Sequence, residues 1–226
     1  MGGWAEDGKT YYIGQQFRGV GGILPIIDVT DPYNAKWLLN WKFDGDGRPH
    51  DVSTNADGTR LYAGQAGNFG VPPDNTSFGP DGLVVLDVSD IQLRRSNPQI
   101  RIVSRLFWND QGQAEQMLPF VSRGRSYLIS TDESGGQAGV GRLAAACARG
   151  ASPYGYSSLI DITDETNPRI VSKIMLEVHD PKNCTKFLAE PPEAGGGPLD
   201  YSTERCALDR PINPTMAACG SRGTGT

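Results

Sequence analysis

Three stretches of this chain share one build, in which a continuous run of Ile, Leu and Val stops at an aspartate and turn residues follow at once. They are GGILPIIDVTDP (21–32), DGLVVLDVSD (81–90) and YSSLIDITDETNP (156–168). An unbroken apolar run of this length suits a strand covered on both faces, and the Asp, Thr, Ser, Asn and Pro that close it suit a tight turn. After each turn comes a second β-rich run: AKWLLNWKF, QIRIVSRLFW or RIVSKIMLEV. The repeat is therefore a hairpin that occurs three times.

A preceding half of the unit is also visible. RPHDVSTNADGTRLYAGQ (48–65) and QAEQMLPFVSRGRSYLISTDE (113–133) both read strand, turn, strand, with twelve residues from His50 to Tyr62 and from Glu115 to Tyr127. Taking His50, Glu115 and His179 as unit starts gives spacings of 65 and 64 residues. That exceeds the roughly 40 to 50 of ordinary four-stranded repeats, and the surplus falls in the stretches 66–80 and 134–153. Four strands per unit predict an all-β chain of antiparallel blades, a β-propeller fragment with about two full blades and partial blades at each end. The expected divisions are a partial blade over 1–47, blades over 48–110 and 111–178, and the start of a further blade over 179–226 with a long Cys-, Gly- and Pro-rich loop. EDGKTYYIGQQF (6–17) copies DGTRLYAGQ, so the first unit is expected to begin between its first and second strands.

Composition narrows the partners. The 226 residues carry a net charge of -5, which offers no attraction to phosphate backbones or anionic headgroups, so nucleic acid is not expected as a partner. No stretch approaches the roughly 20 apolar residues of a membrane span. The four cysteines, Cys147, Cys184, Cys206 and Cys219, form no CxxC pair, which disfavours a zinc finger. They lie in weakly patterned loops, where a disulfide restrains chain that cannot pin itself by burial; at least one bridge is expected, with three pairings open.

The first strand of a propeller blade lines the central channel, so equivalent positions of successive first strands converge. His50, Glu115 and His179 hold that position, and the two histidines are the only ones in the chain. Two imidazoles and a carboxylate are ligands for a divalent transition metal. Asp51 and Asp180 follow the histidines and are candidates to fix their tautomers. The competing reading makes all of these ordinary polar residues at a channel mouth. Asp28, Asp87 and Asp161 end the apolar runs, where a carboxylate accepts N–H bonds from the following turn. The stretch FDGDGRPHD lacks an acid at the twelfth position of a calcium loop, which is Asn55, so that reading fails. Neither a GxSxG elbow nor a GxxxxGK[ST] loop is present. Asn75 and Asn183 match the glycosylation pattern.

LPIIDVTDP, LVVLDVSD and SLIDITDETNP resemble the LVIVD-repeat family, whose blades carry a hydrophobic quintet ending in aspartate before a Thr/Ser, Asp, Pro turn. The resemblance covers about residues 6–183. The second copy departs from it, since its proline is delayed to Asn97-Pro98. The resemblance implies an exported or surface-attached bacterial or archaeal β-propeller, with any export signal lying upstream of this sequence. On that footing two functions are expected: a binding or scaffold module of the envelope, contacting protein or glycan through its long loops, or a metal-dependent, oxidoreductase-like enzyme.

Overall fold

The computed structural model describes residues 2–14, 22–43, 47–66, 81–136, 142–189, 201–203, 205–208 and 217–220. Three four-stranded antiparallel sheets follow one another, each a simple meander. The first holds β1 (Gly2–Trp4), β2 (Thr10–Ile13), β3 (Ile23–Asp28) and β4 (Lys36–Lys42). The second holds β5 (Pro49–Thr54), β6 (Arg60–Gln65), β7 (Asp81–Asp87) and β8 (Arg101–Trp108). The third holds β9 (Ala114–Ser122), β10 (Arg125–Asp132), β11 (Ser157–Asp161) and β12 (Arg169–Ile174). The first sheet has one strand more than the repeat pattern indicates. Its β1 is only three residues long, GGW, and carries no apolar run that a pattern search can see.

The apolar runs form the third strand of each sheet, and their continuity has a direct cause in packing. In β7, Val84 and Leu86 join Leu24, Ile26, Leu61 and Ala63 in a core between the first and second sheets. The alternate residues Leu83 and Val85 join Tyr62, Met117, Leu128 and Ile160 in a core between the second and third. All four β7 residues are fully buried, each contributing about 1.5–3 kcal/mol. A strand sandwiched this way has no solvent face on which polar residues would alternate. The outermost strands β4 and β12 are largely exposed and correspondingly mixed in sequence. A register shift recurs at the same place in every sheet, between Ile26 and Ile27, Val85 and Leu86, and Leu159 and Ile160. The sequence repeat is thus a repeat of detailed backbone geometry.

The innermost strands lie side by side, β1 against β5 and β5 against β9. Side chains tie successive sheets at their outer ends. Arg94 donates to Asp28, to Thr10 Oγ1 and to the Lys9 carbonyl across the first junction. At the second, Glu165 accepts from Arg60 Nε and Tyr62 Oη, each at 2.8 Å.

Among the described residues three short α-helices stand outside the sheets, the first being α1 (Ser89–Gln92) directly after β7. A disulfide joins Cys147 of α2 (Arg142–Ala148) to Cys184 of α3 (Cys184–Leu188), stapling the β10–β11 connection to the chain beyond β12. Farther on, Thr203 bridges Asp132, and a hairpin of β13 (Arg205–Leu208) and β14 (Ala217–Gly220) places β13 beside β9. In that hairpin Cys206 is in register with Cys219. Among the described residues no helix is long and apolar enough to cross a membrane. Residues 67–80, with Asn75, 137–141 and much of 190–226 lie outside the described residues, as do Asp44 and Asp46.

Candidate metal centre

The inner ends of the second and third sheets carry the chemistry. Each innermost strand has an irregularity at one residue. Along β5 the pairing with β6 steps from Pro49 to Asp51, leaving His50 as the extra residue. Along β9 it steps from Ala114 to Met117 while β10 advances only from Asp132 to Ser130, so Glu115 and Gln116 stand opposite Thr131 alone. Bulges re-aim side chains. Here they fall on His50 in one sheet and beside Glu115 in the next.

The two strands can approach because β6 has a glycine at the crossing. A Cβ on Gly64 would sit 1.9 Å from the Glu115 carbonyl oxygen. The start of β9 is fixed further by Asp81, the first residue of β7, whose Oδ1 accepts from Ala114 N at 2.7 Å.

His50, Glu115 and Glu133 thereby offer one ligand atom each, all within 4.8 Å of one another. His50 is fully buried and Glu115 nearly so, while the Glu133 side chain keeps 14% of its surface. His50 Nε2 lies 3.3 Å from Glu133 Oε2 and 3.3 Å from Gln113 Nε2, and the Gln113 amide donates to Glu133 Oε2. The other ring nitrogen, Nδ1, is buried without a hydrogen-bond partner. Leaving such an atom unsatisfied costs about 1–3 kcal/mol, a cost that an ordered water removes, and it is Nε2 that faces Glu133 in the cluster.

The two segments that present Gln113 and Glu133 converge on Asp132, the last residue of β10. Its Oδ2 accepts from Gln113 N at 2.9 Å, and its Oδ1 from Ser134 N and Gly135 N at 3.0 and 2.6 Å. Burial pushes this carboxyl above its ordinary value, opposed by those three N–H donors.

His179 is not in the cluster. Leu176 N donates to its Nδ1 and its Nε2 faces the Tyr201 carbonyl, both at 2.9 Å, so the ring is a neutral Nε2–H tautomer with both nitrogens engaged. Burial holds its pKa below the usual 6.5. The chain reaches it through an irregular 3-10 turn at Glu177–His179, not through a strand equivalent to β5 and β9, which is why equal sequence spacing does not bring it to the site. Asp180 caps the next turn by accepting from Lys182 N, and Asp51 accepts from the backbone of Val52. Asp28, Asp87 and Asp161 each accept at 2.9 Å from the N–H two residues on, of Thr30, Ser89 and Thr163.

Glu133 is the ligand that the repeat reading does not single out. It stands just past the end of a strand, and the register on which the repeat rests has no titratable counterpart for it. The local signal was TDESGG, two acids and a Gly-Gly at a strand end, which marks a turn designed around a carboxylate.

Structural comparison supplies the fold. The described sheets are similar to the periplasmic gluconolactonase PpgL of Pseudomonas aeruginosa, with a TM-score of 0.51 at 13% identity, over 77% of this chain. This chain folds as part of a β-propeller. It spans 41% of the length of that enzyme. No protein-family model matches the sequence, and no curated protein does.

Proposed function

We propose that this chain is part of an exported propeller of the LVIVD-repeat type that holds a divalent transition metal between its second and third blades, through His50, Glu115 and Glu133. The observation that carries the reading is the convergence of one fully buried imidazole and two carboxylates from three chain segments, with one ligand atom of each within 4.8 Å of the others. Two oxygen-donor carboxylates per imidazole suit Mn²⁺, Fe²⁺ or Zn²⁺ better than Cu⁺. Three protein ligands leave coordination positions open, and an ion held this way supplies Lewis-acid or redox chemistry to a bound substrate. His50 is the anchoring ligand. Glu133, partly exposed, is the one through which ion and substrate reach the site. The Cys147–Cys184 disulfide and the periplasmic origin of the similar structure support export.

A binding or scaffold role toward envelope protein or glycan is the second reading. It is favoured by Trp4 and Trp37 on the first sheet and Tyr33 in its β3–β4 turn, all more than half exposed. Elemental analysis of protein purified without chelator separates the two. The metal reading expects close to one ion per chain, lost in His50→Ala and Glu133→Gln and retained in His179→Gln. Metal absent from the wild type, or undiminished in Glu133→Gln, overturns it.

A further inference from the structure

We propose that Asp132 is a positioning residue for the metal ligands, the group that sets the distance between Glu133 and His50; this rests on the metal reading above. Asp132 is 1% exposed, and its carboxylate accepts from the main-chain N–H groups of Gln113, Ser134 and Gly135, none of them a ligating side chain. It acts on the segments that carry them. One carboxylate oxygen holds Gln113 N, two residues before Glu115. The other holds Ser134 N and Gly135 N, on the far side of Glu133. Glu133 N in turn donates to the Gln113 carbonyl at 3.1 Å, closing a ring of main-chain bonds around the side chain.

The consequence at the site is visible in the side chains. With its backbone pinned by Asp132, Gln113 places its amide between His50 Nε2 and Glu133 Oε2, bridging the two blades where the ligands meet. Asp132 is itself fixed from outside. Thr203 pairs with its backbone, and Gly155 packs so closely that a Cβ there would lie 1.9 Å from the Asp132 carbonyl oxygen. A residue that accepts N–H bonds both from the segment leading to Glu115 and from the turn after Glu133, while held by two other segments, fixes those two ligands relative to one another. Partners that orient metal ligands in this indirect way typically alter metal affinity about 10- to 100-fold when removed.

The test is Asp132→Asn, measured with Mn²⁺ by calorimetry and with Co²⁺ by its ligand-field absorption spectrum, on protein shown to be folded by circular dichroism. Asn keeps the volume but replaces one acceptor oxygen with a donor, so one of the two arms must break. The proposal expects a Mn²⁺ dissociation constant raised about 10- to 100-fold and a shifted Co²⁺ spectrum. Asp161→Asn is the control. Asp161 also ends a buried strand and accepts from a turn, through Thr163 N, but far from the cluster. It is expected to lower thermal stability while leaving affinity and spectrum at wild-type values. If Asp132→Asn does not fold, Asp132→Ser retains an oxygen for the Ser134 and Gly135 turn and gives up only the arm to Gln113; it too should weaken Mn²⁺ binding. Wild-type affinity and an unchanged Co²⁺ spectrum in a folded Asp132 variant overturn the proposal. Failure of the wild type to bind either ion overturns the metal reading instead.

Discussion

Replacing Gly64 with alanine tests whether the fold creates the site by close approach of two blades. The added Cβ would lie 1.9 Å from the Glu115 carbonyl oxygen, 2.8 Å from its carbon and 3.2 Å from the Ala114 oxygen. All three are backbone atoms, so no side chain can swing aside. Ordinary contact begins near 3.4 Å, which requires β6 and β9 to separate by about 1.5 Å at this point. Overpacking of this kind costs about 1–3 kcal/mol. The displacement also carries Glu115 away from His50, in a cluster whose ligand atoms now all lie within 4.8 Å of one another. Urea denaturation is expected to show the loss of stability, and Mn²⁺ titration a loss of affinity in the fraction that remains folded. Gly124→Ala is the comparison, since nothing lies within 4 Å of its Cβ and only its φ of +74° opposes the change. It should cost stability without touching metal affinity. A Gly64→Ala protein with wild-type stability and wild-type Mn²⁺ affinity would refute the argument.

Three further outcomes follow from the same contacts. Glu165→Ala removes the acceptor shared by Arg60 and Tyr62 across the second junction, and should cost about 1–3 kcal/mol in urea denaturation; a change below about 0.5 kcal/mol would reduce the contact to an ordinary surface pair. Cys184→Ser opens a bridge between residues 37 apart, worth about 3–4 kcal/mol by loop entropy, and unfolding midpoints unaffected by this change or by reductant would contradict that role. His179 has a folded pKa lowered by burial, so as pH falls the unfolded chain takes up the proton first. Stability present above pH 6.5 should therefore be lost as pH drops through that value toward the lower folded one, and His179→Gln should flatten the dependence; equal midpoint-versus-pH curves for both proteins would oppose it.

The fold was legible because its cause acts on every repeat alike. A strand buried on both faces must be apolar throughout, so Ile23–Asp28, Asp81–Asp87 and Ser157–Asp161 announce themselves. The short strand Gly2–Trp4 does not, because its glycines serve close packing: a Cβ on Gly3 would lie 2.2 Å from the Val52 carbonyl oxygen. At the site, His50 and Glu115 share a position that repeat spacing can find. His179 shares the spacing but sits on a 3-10 turn, and spacing carries no information on that difference. Even the matched twelve-residue intervals conceal unlike hairpins. The β5–β6 pair closes at Thr54 and Leu61, while β9–β10 runs on to Ser122 and Arg125 around a two-residue turn. That longer hairpin shifts what stands opposite Glu115. The arrival of Glu133 depends on main-chain bonds to Asp132 and Gln113, which only the folded chain makes.

Anomalous diffraction from crystals grown with Zn²⁺ tests the central claim most directly. The account predicts one strong peak about 2.0–2.2 Å from an imidazole nitrogen of His50 and from carboxylate oxygens of Glu115 and Glu133. A peak at His179 instead, or no peak between the second and third blades, would contradict it.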